Sequence, residues 1–143
     1  MSTEEIKSLV QQATQEIWGE RNADVADKYY TADHLRHDPT QPEPIEGVDA
    51  MKARLRTLFN AFPDAQVDVK DMVVEGNTFA NRWVMTGTHE GEFNGIPATG
   101  KPVRMSGMSL GKVRDGKIAE VWDELNIVGL MQQLGVTPQS EQS

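Results

Sequence analysis

The spacing of apolar residues along the chain predicts helices in its first half and strands in its second. From Ile6 to Ile17, apolar side chains recur every three or four positions, which is the spacing of a helix with one buried face. Ser2 and Glu5 provide a capping box for its start, and Gly19 is suited to end it. Beyond position 65 the apolar period changes to two, which indicates strands. The predicted elements in chain order are helices at 3–18, 24–30 and 48–62, strands at 66–74, 79–90, 103–113 and 117–126, and a final helix at 127–134.

The connections between these elements support an α+β fold. Three prolines fall within residues 37–44, and proline neither continues a helix nor fits a central strand, so we expect an ordered loop there. Asp115-Gly116 is a strong hairpin signal between the last two strands. Helices first and antiparallel strands second is the order of an α+β fold with helices on one face of a sheet. We expect one domain over residues 1–136 and a polar tail at 137–143.

The last predicted strand carries apolar residues on both of its faces. If side chains alternate regularly along this strand, Trp122 and Ile118 lie on one face and Val121 and Leu125 on the other. A half-solvated antiparallel sheet normally alternates more cleanly between apolar and polar positions. We therefore expect the second face of the sheet to be covered as well, most simply by another copy of the chain in a homodimer or higher homo-oligomer.

Charge and composition exclude several classes of function. The chain has 14 Lys and Arg against 22 Asp and Glu, a net charge of −8. Phosphates and anionic lipids attract clustered positive charge, so we expect neither nucleic acid nor a membrane as a partner. The absence of cysteine rules out disulfides, thiolate nucleophiles and Cys-ligated metals. The acidic start is not that of a secretory signal and no apolar run approaches about 20 residues, so we expect a cytoplasmic location.

Two histidines fall close to an aspartate in the first half of the chain. His34 and His37 have the His-x-x-His spacing that can ligate zinc, but a zinc site would need further ligands such as His89. His37 beside Asp38, at the start of a loop, is better suited to acid/base or hydrogen-bonding work. The alternative is that Asp38 caps a turn and His37 is an interior histidine.

The acidic residues around Trp122 are the second candidate. On a strand, Glu120, Trp122, Glu124 and Asn126 share one face. If that face looks into a cavity, desolvation would raise the pKa of the carboxyl groups beside the aromatic wall. The alternative is that the acidic residues mark the solvated end of the strand.

Other side chains fit either a core or a cavity wall. Arg82, inside an otherwise apolar strand, either pairs with a carboxylate in a cavity or extends its charge to the edge of the sheet. Trp18 and Met105 suit the lining of a pocket for a flat apolar ligand, and they suit a core equally well.

Several motifs together resemble the SnoaL-like polyketide cyclase (ester cyclase) family of the NTF2-like superfamily. The resemblance lies in residues 87–101 (GTHEGEFNGIPATGK), in 115–122 (DGKIAEVW) and in 129–135 (GLMQQLG). His37-Asp38-Pro39 and Phe62-Pro63-Asp64 also fall where that family has such pairs. The similarity covers nearly the whole chain, from about residue 5 to 136.

This resemblance implies an NTF2-like cone, in which a strongly curved antiparallel sheet wraps around N-terminal helices and leaves an internal cavity. Homo-oligomers formed through the sheet are usual in such folds. The characterised cyclases close a ring of a polyketide ester by an intramolecular aldol reaction, using a general acid/base aspartate and neither metal nor organic cofactor. That aspartate is expected six positions after Glu120, where this chain has Asn126.

The leading hypothesis is therefore an enzyme that performs acid/base chemistry on a small, largely apolar carbonyl compound without a cofactor. Aldol cyclisation, isomerisation and hydration all fall within this class. The alternatives are a non-catalytic small-molecule-binding protein of the same fold and an interaction module. The expected site comprises His37, Glu120, Glu124 and Asn126 as catalytic groups and Arg82, Trp122, Trp18, His89 and Met105 as substrate-binding groups, with no metal.

Overall fold

The computed structural model describes residues 1–136, and the predicted tail at 137–143 lies outside this range. Four α-helices pack against one six-stranded sheet, as an α+β fold requires. The helices are α1 (Thr3–Ala13), α2 (Ala26–Tyr29), α3 (Val48–Ala61) and α4 (Ile127–Leu134). The strands are β1 (Tyr30–His37), β2 (Ile45–Glu46), β3 (Gln66–Glu75), β4 (Thr78–Thr88), β5 (Pro102–Arg114) and β6 (Lys117–Leu125).

The first helix begins as its sequence predicts but ends differently. Ser2 Oγ accepts from the Glu5 backbone N–H at 3.1 Å, and Glu5 Oε1 accepts from the Ser2 N–H at 2.7 Å, so the capping box is confirmed. The prediction of one regular helix to position 18 is wrong, because Thr14–Gly19 is π-helical. This wider turn changes which side chains face inward, and it brings both Thr14 and Trp18 to the cavity described below.

The sheet has the order β2-β1-β6-β5-β4-β3. The four predicted strands are present, and the β5–β6 hairpin turns at Asp115 and Gly116, both with positive φ as a tight hairpin turn requires. The expectation of a purely antiparallel sheet is wrong at one place, because β1 runs parallel to β6. β1 and β2 were not predicted: residues 30–37 include an exposed Ala-Asp pair and a half-buried end, so they lack strict alternation.

Two irregularities in the antiparallel part of the sheet bend it around the helices. The register shifts between Val69 and Asp71 in β3, and again at Lys112–Val113 where β5 pairs with β6. Such bulges sharpen the local twist and bend a strand. The concave face so formed carries the core, with α1 and α3 packed on it and α4 against β5.

Two glycines on the concave face of β5 make room for large rings from β4. A Cβ at Gly107 would lie 2.4 Å from Trp83 Cζ2, and one at Gly111 would lie 2.2 Å from Phe79 Cζ. Because real Cβ atoms do not approach that closely, glycine at these positions fixes where the two rings lie.

Among residues 1–136, no helix combines the length and the apolar character needed to cross a lipid bilayer.

Candidate active site

A cavity of about 160 Å³ lies between the concave face of the sheet and the helices. Most of its lining is apolar, with Trp18 and Leu58 on the helical side and Trp83, Met85 and Met105 on the sheet. The predicted positions of Trp18 and Met105 in a cavity wall therefore agree with the structure. Because an apolar cavity of about 150 Å³ holds a benzene molecule, this one has room for a single substituted ring.

A buried ion pair between β1 and β6 is one of two Asp–Arg pairs in the lining of this cavity. Arg36 Nη1 on β1 donates to Asp123 Oδ2 on β6 at 3.0 Å, and the two side chains are only 16% and 11% exposed. Ser109 Oγ donates to the other carboxylate oxygen at 2.6 Å, and Trp83 Nε1 donates to Ser109 Oγ at 3.0 Å. Asp123 is thus held in one orientation by groups from three strands, which is the kind of support that a reactive carboxylate needs.

Two neighbours on β1 hold Arg36 in place. His34 is fully buried and donates from Nδ1 to the Ile118 carbonyl at 3.1 Å, which leaves its Nε2 to accept from Arg36 Nε at 3.4 Å. Burial and the Arg36 charge lower the pKa of His34 to about 3, so its ring is neutral. The Tyr30 ring stacks on His34, with 4.4 Å between ring centroids, and lies beneath the Arg36 guanidinium.

The protonation states of Arg36 and Tyr30 follow from their surroundings. Burial opposes the charge on Arg36, but the nearby carboxylates of Asp123 and Asp38 outweigh it, and the pKa of Arg36 is raised. Burial and the Asp123 charge raise the pKa of the Tyr30 phenol, while Arg36 opposes them less strongly. The cavity therefore presents a permanent cation and a phenol that keeps its proton.

A second polar cluster lines the cavity where the loop after β1 meets α3. Asp38 Oδ1 accepts from the Thr40 N–H at 2.8 Å and from the Thr40 hydroxyl at 2.7 Å. Arg54 donates to Thr40 Oγ1 at 2.9 Å and lies 3.4 Å from Asp38 Oδ2. Asp38 Oδ1 thereby holds the loop, as the turn-capping alternative for Asp38 predicts, while Oδ2 faces the Arg54 charge.

The predicted acid/base pair is close together but lies outside this cavity. His37 Nε2 is 2.9 Å from Glu120 Oε2, and the His37 ring stacks on Trp122 at 5.0 Å between centroids. These side chains lie on the convex face, and Glu124 on the same face is exposed. The expectation that this face looks into a cavity is wrong, because Val121, Asp123 and Leu125 of the opposite parity line it. Catalytic roles for His37, Glu120 and Glu124 remain predictions without support from their placement.

Three further predicted site residues also lie away from the cavity. Asn126 is exposed and caps α4, accepting from the Gly129 N–H at 3.0 Å, so its amide is used by the helix start. Arg82 points outward and pairs with Asp71 at 2.6 Å, which is the surface alternative for this arginine. His89 is buried but stands outside the cavity lining, where its Nδ1 lies 3.0 Å from Thr99 Oγ1. For each of these three, expected placement at the cavity was wrong.

Asp123, Arg36 and Ser109 were missed as site residues. A signal for Asp123 was present in the sequence, since it is the one carboxylate on the strand face that also carries Val121 and Leu125. A charged group on the core face of a strand is costly unless it is paired, and for that reason it marks a site. Arg36 had no comparable signal, because the strand that carries it was not predicted.

Within residues 1–136 no group of three or more acidic or histidine side chains is arranged to hold a metal ion. The fold and the cavity together define a small α+β protein with a largely apolar internal cavity and buried Asp–Arg pairs in its wall. The family model for SnoaL-like polyketide cyclases matches residues 8–134. The chain belongs to this family, and the resemblance stated from the sequence motifs is confirmed. No curated protein sequence matches the chain closely enough to count as a relative.

Solved structures agree with the family assignment. A protein of Acidithiobacillus ferrooxidans assigned as a polyketide cyclase is 32% identical, with a TM-score of 0.81 over 92% of this chain and 94% of that one. AclR of Streptomyces galilaeus, assigned as a hydroxylase, is 28% identical with a TM-score of 0.82, over 99% of this chain and 87% of that one. TsrD of Streptomyces laurentii, at 24% identity and a TM-score of 0.84 over 94% and 98% of the two chains, shows the same fold. The NTF2-like fold expected for this chain is thus confirmed.

Proposed function

We propose that this chain is a cyclase-type enzyme that moves a proton at the carbon next to a carbonyl group of a small, largely apolar compound. Asp123 is the proton carrier in this proposal, and it needs no cofactor. The observation that carries the proposal is the buried Arg36–Asp123 pair in the wall of an apolar cavity. Membership of the SnoaL-like polyketide cyclase family supports the same class of reaction.

In the proposed reaction, the ionised Asp123 carboxylate takes a proton from the carbon beside the carbonyl group. The negative charge that develops on the carbonyl oxygen is stabilised by the Arg36 guanidinium and by the Tyr30 hydroxyl, since both residues line the cavity. These donors are held in place before the substrate binds, and such preorganised stabilisation is often the largest contribution to catalysis. The enolate carbon then forms a C–C bond with a second carbonyl carbon of the same molecule. Asp123 returns its proton to the resulting alkoxide.

The cavity limits the size of the substrate. At about 160 Å³ it holds one ring with small substituents, and the rings of Trp18 and Trp83 suit a flat molecule. Holding both reacting carbons within one small apolar space converts the ring closure into an oriented intramolecular step. We therefore propose a monocyclic product rather than a fused polycyclic one.

One observation favours the alternative of a non-catalytic binding protein. Both Asp123 oxygens already have partners, Arg36 at 3.0 Å and Ser109 at 2.6 Å. A carboxylate so engaged can serve as a fixed polar contact for a ligand and never exchange a proton.

Exchange of ketone α-protons with deuterium separates the two functions. We would follow the proton NMR signal of cyclohexanone and acetophenone in D₂O with the wild-type protein and with Asp123→Asn. The enzyme proposal predicts exchange above the buffer rate with the wild type and a loss of about 10²-fold or more with the variant. Binding of both ketones without exchange by the wild type would favour the binding protein.

We also propose that two copies pair through the convex face of the sheet. The strand register there aligns a row of four apolar side chains, which we call the exterior row: Val73, Ala80, Leu110 and Trp122. Val73 is 68% exposed and Leu110 is 43% exposed in the single chain. A two-fold interface places the same patch on both partners, so one such row is sufficient for pairing.

A further inference from the structure

The cavity contains a buried amide that the proposed chemistry does not use. Asn81, on β4, is 8% exposed and lines the cavity, and its Oδ1 has no hydrogen-bond partner. A buried acceptor without a partner costs about 1–3 kcal/mol. Since an apolar side chain of this size would avoid that cost, the amide at this position calls for a ligand that supplies a donor.

Strand register places this amide in line with the proposed proton carrier. Asn81 pairs with Ser109 across β4 and β5, and Ser109 pairs with Asp123 across β5 and β6. All three side chains line the cavity. Their backbones are two strand spacings apart from end to end, which is roughly 9.5 Å. After hydrogen-bond lengths of about 2.8 Å at either end, roughly 4 Å remains, so a ligand that reaches both groups is one ring that does so through substituents at nearby ring positions.

We propose that Asn81 forms a second subsite that binds a hydroxyl substituent of the substrate, at a ring position close to that of the carbonyl group. The free acceptor Oδ1 requires an O–H or N–H donor, and the amide N–H₂ group can donate to the same oxygen, so a hydroxyl group fits both ends of the amide. The substrate class is then a hydroxy-substituted cyclic or aromatic ketone. The position of the carbonyl group rests on the proposed function, whereas the hydroxyl subsite rests on Asn81 alone.

Binding of a matched pair of probes tests the subsite without any turnover. The probes are 3′-hydroxyacetophenone and 3′-methylacetophenone, in which a methyl group replaces the hydroxyl. Binding is followed by titration calorimetry with the wild type, Asn81→Leu and Asp123→Asn. Met85→Leu is the matched control, since Met85 lines the same cavity four residues along the same strand and keeps its apolar volume.

The subsite predicts that the wild type binds the hydroxylated probe about tenfold more tightly than the methyl probe. Asn81→Leu removes this preference, while Met85→Leu keeps it. Asp123→Asn also keeps the preference even if α-proton exchange is absent, so failure of the proposed function leaves the subsite standing. Equal binding of the two probes by the wild type, a preference retained in Asn81→Leu, or no binding of either probe would overturn the subsite.

Stability of the unliganded protein gives a second test. Asn81→Leu removes an unpaired buried acceptor, so its urea midpoint is expected to equal or exceed that of the wild type. If the Asn81 amide were instead hydrogen-bonded within the fold, its loss in the variant would destabilise the protein. A urea midpoint of Asn81→Leu clearly below that of the wild type would therefore contradict a role in ligand binding.

Discussion

The Arg36–Asp123 pair offers the sharpest test of the cavity's internal structure. Both side chains are largely buried and they bond directly at 3.0 Å. Removing one partner of a buried ion pair strands the other charge, which typically costs about 3–5 kcal/mol. The Asp38 carboxylate also stabilises the Arg36 charge, so we expect the loss of stability in Asp123→Asn to lie at the low end of this range, about 3 kcal/mol. For a chain of this size that corresponds to a fall in Tm of roughly 6–12 °C.

A double-mutant cycle isolates the interaction from these individual losses. Replacing both residues, as Arg36→Met with Asp123→Asn, leaves no stranded charge, so the double variant should be more stable than the sum of the two losses implies. We expect a coupling free energy of about 2–3 kcal/mol. Urea unfolding of the four proteins, followed by tryptophan fluorescence and by circular dichroism in parallel, measures it. Additive losses, within about 0.5 kcal/mol, would refute the pairing and with it the preorganised site.

Three further predictions concern different parts of the chain. Burial and the Arg36 charge lower the pKa of His34 to about 3 from an ordinary value of 6.5, so below pH 6.5 the unfolded chain binds a proton that the folded chain does not. The free energy of unfolding should therefore fall by up to about 1.4 kcal/mol per pH unit below pH 6.5. Urea unfolding between about pH 7 and 5 measures this, and a flat profile would contradict it. Gly107→Ala should displace the Trp83 ring and cost about 1–3 kcal/mol, with a changed near-ultraviolet circular dichroism spectrum; an unchanged spectrum would show that the ring does not depend on this glycine. Leu110→Glu, in the exterior row, should convert a dimer to a monomer in sedimentation velocity, and a monomeric wild type would rule out the pairing.

Much of the fold could be predicted because its elements are marked locally. The capping box at Ser2, the period-two strands and the hairpin at Asp115-Gly116 all depend on residues close together in sequence. β1 was missed because its pairing with β6 joins positions about 85 residues apart, and its own sequence lacks alternation. The π-helical turn was missed for a related reason, since apolar spacing alone does not distinguish it from a regular helix.

The candidate site was harder to predict than the fold. Trp122 and Asp123 are neighbours on β6 and therefore face opposite sides of the sheet, and the sequence offered chemistry on both. The aromatic ring beside Glu120 favoured a site on the face that carries Trp122, but that face of the sheet is convex. Which face is concave depends on bulges and on helix packing, which are properties of the whole sheet. The single aspartate on an otherwise apolar strand face, Asp123, was the better indicator of the site.

The proposed function requires proton transfer on the concave face of the sheet, at Asp123. The most direct measurement compares Asp123→Asn with Glu120→Gln, an equally conservative change at the carboxyl group that is hydrogen-bonded to His37 on the convex face. The rate of ketone α-proton exchange should fall by about 10²-fold or more in Asp123→Asn and should stay within about twofold of the wild type in Glu120→Gln. The opposite result, with exchange lost in Glu120→Gln and kept in Asp123→Asn, would contradict the proposed function of Asp123 and place the chemistry on the convex face.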